Sequence, residues 1–364
     1  MLGIIIPTLN RSDYVVRQLY YYASVNCPYT IYLGDSSNAH HLEAVLSAIE
    51  RLKNRIKIVH TVIAPGIAAH AVCKELADVV QEKYIAYIGD DDFLVPNSIG
   101  KCIEFLEANP EYVSAQGKGA IFSLYGRAYG EIKGMGPYHL KGCEIEIPNQ
   151  RLSNFLNSYW VLEFSVNRTE YYRQMCDCRD TQSAGFISNG AITEILIGCL
   201  SLIRGKSKSL NCLYLLRQGG DHRNTPIHQS FIDQIIHPDW TPSLQIFRDK
   251  VIEALVQKED ITKEAASEIV KHAISSYFLN ALNKKQQGQN SFKKEIIVFL
   301  QKIKKIPGAK ALYNQVRRKI PVFQNDISLV KLLSPVSPYN DEFLPLFRTI
   351  TSSEKVLESE LGLG

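Results

Sequence analysis

The first 90 residues alternate between short apolar runs and longer stretches in which apolar residues recur at helical spacing. The apolar runs predict strands over residues 3–7, 29–37, 55–61 and 84–89. The stretches between them predict helices from near Ser12, over 39–52 and over 66–82. Strands that alternate with helices in this way predict an α/β fold, with a mixed, mainly parallel sheet and helices on both faces.

Polar residues follow three of these strands. The fourth strand is followed by Asp90, Asp91 and Asp92, and the first two by Asn10, Arg11, Asp35 and Ser36. In a parallel sheet the carboxyl ends of the strands lie at one edge, where ligands bind. Because three like charges repel each other and burial strengthens the repulsion, we expect a cation or strong hydrogen-bond donors beside the aspartates.

The pattern after residue 96 is less regular. It predicts helices over 98–111 and 189–206, glycine-joined strands over 112–132 and a strand over 209–218. The segment 130–180 is rich in Tyr, Gly and Asn and has no clean period, which suits either a substrate-binding region or a surface excursion. Beyond residue 240 the sequence changes to amphipathic helices. We therefore divide the chain into a domain over 1–240 and a helical C-terminal region over 241–364.

Composition and charge exclude several classes of function. A net charge of +4 over 364 residues is too small for a general nucleic-acid binder, and no stretch reaches the roughly 18 apolar residues of a membrane span. With no signal-peptide pattern either, we expect a cytoplasmic protein whose eight cysteines are reduced. The segment 291–320 combines basic residues with an apolar stripe. It either makes a peripheral contact with the anionic inner face of the membrane or packs on the main domain with its lysines in water.

The motifs IIIPTLNR, GDSS and GDDDFLVP occur in this order at the ends of the first, second and fourth predicted strands. In this respect the sequence resembles the nucleotide-sugar-binding half of family 2 glycosyltransferases with the GT-A fold, a Rossmann-like architecture. The resemblance covers about residues 1–225 and does not extend to the C-terminal helical appendage. It implies an enzyme that transfers a sugar from a nucleoside-diphosphate donor to a glycan or lipid-linked acceptor, with inversion at the sugar carbon.

The resemblance also implies that Mn²⁺ or Mg²⁺ takes part. The D-x-D pair, Asp90 and Asp92, would hold the metal, with Asp92 as the direct ligand. His222 would help to hold it, and Asp91 would point towards the sugar. Such a cation would neutralise the aspartates and stabilise the departing diphosphate. The nucleotide sugar would contact Thr8, Asn10, Arg11, Asp35, Ser36, Asp90, Asp91, Arg217 and Arg223. The aspartates could instead cap a helix or shape a turn.

Inverting transfer needs a carboxylate that takes the proton from the acceptor hydroxyl. In the resembled family this base belongs to a Glu-Asp pair that opens a helix. The matching stretch here is TEILIGCLSLIRG, which places Glu194 at the base position and Thr193 where the first acid would stand. Because this departs from the family pattern, Asp180 is a second candidate, and Glu194 could instead be a solvated helix residue.

Two other functions are compatible with the sequence. A nucleotidyltransferase on a related sheet would usually carry a glycine-rich first loop, and PTLNRSDY has no glycine. A binding module that has lost catalysis is favoured by the missing Glu-Asp pair and opposed by the three retained aspartates. The neighbours Tyr159 and Trp160 either stack on an acceptor sugar or pack in the core.

Overall fold

The structure is a computed structural model that describes residues 1–67, 69–179, 187, 189–220, 238–289 and 327–363, without the side chains of 69–70 and 284–289. Its strands are Leu2–Thr8 (β1), Thr30–Asp35 (β2), Ile58–Val62 (β3), Tyr84–Tyr87 (β4), Phe93–Leu94 (β5), Tyr112–Leu124 (β6), Ile132–Tyr138 (β7), Val166–Arg168 (β8) and Lys206–Gln218 (β9). Its helices are Ser12–Ser24 (α1), Ala39–Leu52 (α2), Ala69–Val79 (α3), Pro96–Ala108 (α4), Pro148–Ser158 (α5), Thr169–Met175 (α6), Gly190–Arg204 (α7), Trp240–Lys258 (α8), Lys263–Gln289 (α9), Leu329–Leu332 (α10), Asn340–Thr351 (α11) and Glu354–Glu360 (α12). A 3-10 turn spans Cys176–Arg179.

The strands of the described residues form one mixed sheet in the order β3-β2-β1-β4-β8-β6-β9-β5, with β7 paired to β6. β1 pairs in parallel with both β2 and β4, and β2 pairs in parallel with β3. β6 and β9 form a second parallel pair. The short strand β8 joins the two groups, because it pairs antiparallel with both β4 and β6. The predicted α/β fold with a mixed sheet is confirmed.

Alternate residues of β1 contact different cores, as the period of a strand requires. Ile4 and Ile6 belong to a core shared with α1, α2 and α4, which we name the main core. Ile5 belongs to a smaller core with α3 and α6. Helices therefore cover both faces of the sheet, as predicted. Every residue of β1 is buried, and the strand ends at Thr8, at the edge of the sheet where the carboxyl ends of the parallel strands lie.

Residues 112–132 contain one long strand, β6, and the turn that leads to β7, which begins at Ile132. Gly126 and Gly130 lie in this turn, as predicted, but two other glycines lie inside β6 and do not separate strands. Gly117 and Gly119 lie inside β6 because neighbouring chain segments approach too closely for a side chain. A Cβ atom on Gly117 would lie 2.6 Å from the carbonyl oxygen of Cys212, and one on Gly119 would lie 2.9 Å from that of Tyr138. These glycines mark close backbone approach inside a strand, not turns.

The unpatterned segment 130–180 is not a surface excursion. It contributes β7, α5, β8 and α6, and β8 lies in the middle of the sheet. Because β8 spans only three residues, it is too short to show the alternation that reveals a strand. Val166 and Asn167 pair with both neighbouring strands and so link the two halves of the sheet. Binding of an acceptor by this segment stays a prediction.

The helices that follow residue 240 pack on earlier helices of the chain. α8 and α9 share a helical core with α5 and α7. Its almost fully buried members include Leu152, Leu196, Phe247 and Val270, one from each helix. The predicted C-terminal helical region is therefore in direct contact with the segment that leads into β8.

Residues 327–363 return to the main core. Phe343 and Ile350 of α11 are fully buried there, beside side chains of α1. The N–H group of Gly130, in the turn after β6, donates to the carbonyl oxygen of Ile350 at 3.0 Å. The division of the chain at residue 240 stays a prediction, and residues from both sides of it share the main core and the helical core.

Among the described residues, no helix is both long and apolar enough to cross a membrane. The basic segment 291–320 lies outside the described residues, so its membrane contact stays a prediction. All eight cysteines are described, buried and free of disulfides, as predicted.

The burial of α11 predicts that the C-terminal residues stabilise the sheet domain. Phe343→Ala should lower the free energy of unfolding by about 3–5 kcal/mol, because it removes a fully buried ring and leaves a cavity. Urea denaturation followed by far-ultraviolet circular dichroism measures this change. The control Val336→Ala alters a side chain that is 91% exposed and should change stability by less than about 0.5 kcal/mol. Equal stability of the two variants would contradict the packing of α11 described above.

Candidate active site

The three aspartates form a tight turn between β4 and β5. The N–H group of Asp92 donates to the carbonyl oxygen of Gly89 at 3.2 Å. The side chains of Asp90 and Asp92 are only 6% and 2% exposed, whereas that of Asp91 is 16% exposed. Ionised carboxylates that are so buried require charged or hydrogen-bonding partners. The structure supplies them from three other elements of the chain.

The end of β1 supplies the partners of Asp90. Thr8 Oγ1 donates to Asp90 Oδ2 at 2.8 Å, and Arg11 Nη1 donates to Asp90 Oδ1 at 2.8 Å. Arg11 Nη2 donates to Asp91 Oδ2 at 2.8 Å, so one guanidinium bridges two carboxylates. These contacts form because β1 and β4 are parallel neighbours with Ile5 opposite Tyr87, so the residues that follow β4 lie beside the end of β1. Burial raises the pKa of Asp90 to about 7 against the opposing charge of Arg11, and Asp91 adds to the rise.

The end of β9 supplies the partners of Asp92. Arg217 Nε donates to Asp92 Oδ2 at 3.0 Å, and the backbone N–H of Gln218 donates to Oδ1 at 2.8 Å. β5 directly follows Asp92 and pairs with β9, which brings these residues together. Arg217 Nη1 also donates to the hydroxyl of Tyr138 at 2.7 Å. Burial and the charge of Asp91 raise the pKa of Asp92 to about 7, although Arg217 opposes the rise.

Two buried polar residues of α1 support the same turn, and neither was expected from the sequence. Arg17 has no solvent exposure and donates to the carbonyl oxygen of Asp91 at 2.8 Å and to Gln218 Oε1 at 2.7 Å. Gln18 Nε2 donates to the carbonyl oxygens of Gly89 and Asp92, at 2.9 and 2.5 Å. Burial lowers the pKa of Arg17 to about 10, so the guanidinium stays charged at neutral pH. The available signal was a charge and an amide inside the apolar and aromatic run YVVRQLYYY.

The residues that follow β1 and β2 are joined to each other. Asn10 has a left-handed backbone, with φ of 54°, and its N–H donates to Ser37 Oγ at 2.7 Å. Ser36 is fully buried, and its hydroxyl donates to the carbonyl oxygen of Ile67 at 2.8 Å. The structure thus places Asn10 and Ser36 at the predicted edge, in a network that holds the two strand ends together. Direct contact of either residue with a nucleotide stays a prediction.

Asp35 is buried without exposure at the end of β2. Its Oδ1 accepts a hydrogen bond from the N–H of Ser37 at 2.9 Å. Its Oδ2 is buried and accepts no hydrogen bond from the described residues, and it lies 3.6 Å from Nε2 of His60. Burial opposes ionisation, but His60 and the hydrogen bond from Ser37 hold the pKa of Asp35 below its usual value. Asp35 Oδ2 is therefore a buried, ionised acceptor whose hydrogen-bonding capacity the described residues leave open. Contact of Asp35 with a nucleotide stays a prediction.

Glu194 lies in the second turn of α7 and does not open the helix. The helix begins at Gly190, after Asn189, whose side chain accepts hydrogen bonds from the first turn. The hydroxyl of Tyr159 donates to Glu194 Oε1. Burial and the charge of Glu163 raise the pKa of Glu194, while the hydrogen bond from Tyr159 opposes the rise. A partly buried carboxyl with a raised pKa has the property that a general base needs near neutral pH.

Arg217 connects the two acidic parts of the site. Its charge lowers the pKa of both Asp92 and Glu194, so both carboxyls lie within the field of one guanidinium. Glu163 lies near Glu194 and is 7% exposed, and Arg179 donates to its Oε1. This buried ion pair was not expected from the sequence, because neither residue belongs to a recognisable motif.

Three predicted residues lie outside the described part of the chain: Asp180, His222 and Arg223. Their functions stay predictions. Within the described ranges, no group of three or more His, Cys, Asp or Glu side chains is arranged to hold a metal ion. The hydroxyl of Thr193 donates to the carbonyl oxygen of Asn189 at 3.1 Å, so this residue serves the start of α7.

Trp160 packs in the helical core and is 5% exposed, with its ring edge-on to Phe155 at 5.1 Å. Its neighbour Tyr159 is instead partly exposed and bound to Glu194. The two adjacent aromatic residues therefore differ in function. Trp160 stabilises the core, whereas Tyr159 belongs to the surroundings of the candidate base.

Comparison with known proteins identifies the first part of the chain. Residues 3–156 match the model of the family described as glycosyl transferase family 2. A search of curated proteins gave no match.

Similar solved structures include the S. aureus protein TarS. The crystal structure of TarS 1–349 in complex with UDP-GlcNAc has a TM-score of 0.53 and 11% identity, over 87% of this chain and 82% of that chain. The crystal structure of TarS 1–349 has a TM-score of 0.50 and 11% identity, over 83% and 78%. A longer TarS chain has a TM-score of 0.49 and 12% identity over 76% of this chain, which spans only 43% of that chain.

Similarity at this level of identity concerns the fold. It agrees with the topology described above, and the predicted GT-A fold is confirmed. The family match lies on the segment that carries β1, the aspartate turn and the arginine that binds it. The predicted resemblance is therefore confirmed over residues 3–156, which match the model of glycosyl transferase family 2.

Proposed function

We propose that this protein transfers a sugar from a nucleoside-diphosphate donor to a glycan or lipid-linked acceptor. The observation that carries the proposal is the contact of Thr8 and Arg11 with the three-aspartate turn, inside the segment that matches the family. TarS, which shares the fold, is described in complex with UDP-GlcNAc. A nucleoside-diphosphate sugar is therefore the donor class that we propose here.

The donor would lie along the rim formed by the ends of β1, β2 and β4. Arg11 is partly exposed and strongly basic, because Asp90 and Asp91 raise its pKa although burial opposes them. A guanidinium in this state can donate to phosphate oxygens as well as to carboxylates. Asp35 Oδ2, which accepts no hydrogen bond from the described residues, would accept one from the nucleobase or ribose. Both residues lie within the matched segment.

The aspartate turn offers carboxylate oxygens, which are suitable ligands for Mn²⁺ or Mg²⁺. The hydrogen bonds of the three aspartates differ. Both oxygens of Asp90 and of Asp92 accept hydrogen bonds, whereas Asp91 Oδ1 receives none from the described residues. We therefore favour Asp91 as the first contact for the metal, with Asp90 and Asp92 shaping the turn. Magnesium sites often combine one or two carboxylates with substrate phosphates, so a cluster of protein ligands is not required. When bound, the cation would neutralise charge on the departing diphosphate.

Glu194 is our proposed general base. The residue is partly exposed, the pKa of its carboxyl is raised by burial and by Glu163, and the charge of Arg217 opposes this rise. Such a group would take the proton of the acceptor hydroxyl as that oxygen attacks the sugar carbon. Attack from the side opposite the diphosphate would invert the configuration at that carbon. Asp180 stays the second candidate for the base.

Donor binding provides the first test. Titration calorimetry with UDP, GDP, CDP, ADP and dTDP, with and without Mn²⁺, should show binding of at least one diphosphate that is tighter with the metal. Arg11→Ala should weaken this binding by about 10-fold to 100-fold, because a charge-assisted hydrogen bond contributes about 1.5–3 kcal/mol. Arg248→Ala is the matched control, because Arg248 is a surface arginine of α8 that is 51% exposed and should leave binding unchanged. If none of the diphosphates binds with metal present, the glycosyltransferase proposal is wrong.

Turnover provides the second test. Release of diphosphate from the bound sugar nucleotide, with water or a glycan as acceptor, should fall by about 10²-fold to 10⁴-fold in Glu194→Gln, because a general base contributes this much. Affinity for the diphosphate should stay the same. Glu268→Gln changes a glutamate that is 60% exposed and serves as the control. If diphosphate release is unchanged in Glu194→Gln and lost in Asp180→Asn, the general base is Asp180 and the assignment of Glu194 is wrong.

The same assays separate the two other functions. A nucleotidyltransferase would release inorganic pyrophosphate from a nucleoside triphosphate, and a binding module would hold the diphosphate without turnover. No observation in the described residues favours either over glycosyl transfer.

A further inference from the structure

The candidate base is held by the residue that directly follows α5. This residue, Tyr159, donates its hydroxyl hydrogen to Glu194 Oε1. The ring of Tyr159 lies against the ring of Tyr277 in α9, with 5.8 Å between centroids and 76° between planes. The ring of Phe155 in α5 also packs against the ring of Tyr159, with 5.5 Å between centroids. Aromatic rings from α5 and α9 therefore fix the position of the hydroxyl that binds the carboxylate.

We propose that Tyr159 is a positioning residue for Glu194, and that Tyr277 holds Tyr159 in place, so that the C-terminal helical region completes the active site. The proposal rests on the assignment of Glu194 as the general base. It adds a dependence of catalysis on α9, which lies beyond the segment that matches the family.

Positioning matters because a glutamate side chain has three rotatable bonds. A free carboxylate would occupy several rotamers, and fixing one of them costs free energy at each turnover. The hydrogen bond from Tyr159 engages Oε1, and Oε2 accepts no hydrogen bond from the described residues. Oε2 is therefore the oxygen left to receive a proton from the acceptor. Tyrosine suits this task because its ring is rigid and its hydroxyl points along the ring axis.

The hydroxyl of Tyr159 also lowers the pKa of Glu194, which burial and the charge of Glu163 raise. Burial and the charge of Glu163 favour the protonated carboxyl, whereas the hydrogen bond from Tyr159 favours the carboxylate that a base requires. The titratable and charged groups that act on Glu194 come from every element around it: Tyr138 of β7, Tyr159 after α5, Glu163 before β8, Arg179 of the 3-10 turn, Arg217 of β9 and Tyr277 of α9. Among them, Tyr159 makes the hydrogen bond to the carboxylate.

A titration of the full-length protein tests the positioning directly. Carbon-13 nuclear magnetic resonance of labelled glutamate side chains, with the Glu194 signal assigned from Glu194→Gln, gives its pKa without any need for turnover. Tyr159→Phe should raise this pKa by about one unit, because it removes a hydrogen bond to the charged form. Glu163→Gln should lower it, because a like charge is removed. An unchanged pKa in Tyr159→Phe would overturn the proposal.

Kinetics then test the link to α9. In Tyr159→Phe the acidic limb of the pH profile should move up by about one pH unit. The plateau value of kcat above this limb should also fall about 10-fold at constant KM for the donor, because the carboxylate is no longer held in one rotamer. Tyr277→Leu should lower kcat about 3-fold to 10-fold with the same KM, and Tyr277→Phe, which keeps the ring, should recover the loss. Tyr125→Phe, at a tyrosine that is 72% exposed, controls for loss of a hydroxyl. A loss in Tyr277→Leu that appears only in KM, or no loss at all, would contradict the dependence on α9.

The outcomes separate this proposal from the proposed function. If Glu194→Gln abolishes turnover while Tyr159→Phe keeps the parental pH profile, the base assignment stands and the positioning by Tyr159 is wrong. If Glu194→Gln keeps full turnover, the base assignment fails and so does the catalytic part of this inference.

Discussion

Three adjacent carboxylates at the end of β4 can stay out of water only because side chains from distant parts of the sequence reach them. Arg11 bridges Asp90 and Asp91, and Arg217 binds Asp92 from β9. An unpaired buried charge would be far less stable than a solvated one, so each contact is a condition for the turn to exist in this form. The order of strands in the sheet meets that condition, because it places β1 beside β4 and pairs β9 with β5.

The same arrangement gives the site its chemical character. In the proposed function, a diphosphate would bring further negative charge to the cations that compensate the aspartates, so a bound nucleotide would redistribute existing interactions. The charge of Arg217 acts on Glu194 as well as on Asp92. Tyr159 donates a hydrogen bond to Glu194, and Tyr277 packs against Tyr159. In the proposed enzyme, the sheet would bind the sugar nucleotide, and the helical core would support the candidate base.

The sequence predicted helix and strand bounds well where an element buries one of its faces, because the spacing of apolar residues then follows the period of the element. The helix over 39–52 has the predicted bounds, and the strands before the aspartates lie close to their predicted ranges. Prediction failed where a local signal was too short or ambiguous. The three residues of β8 cannot show a period, and the glycines of β6 look like turn residues although they serve close strand packing.

By itself, the sequence determined the alternation of strands and helices, the edge where the polar strand ends meet, and the family resemblance, because each depends on residues close together in the chain. Only the tertiary structure decided how the charges are shared. Arg17 looks like one polar residue in an apolar helix until the fold sets it against the carbonyl oxygen of Asp91. The contact of Tyr277 with Tyr159 joins residues more than a hundred positions apart. Such contacts depend on packing between elements, and no local pattern records them.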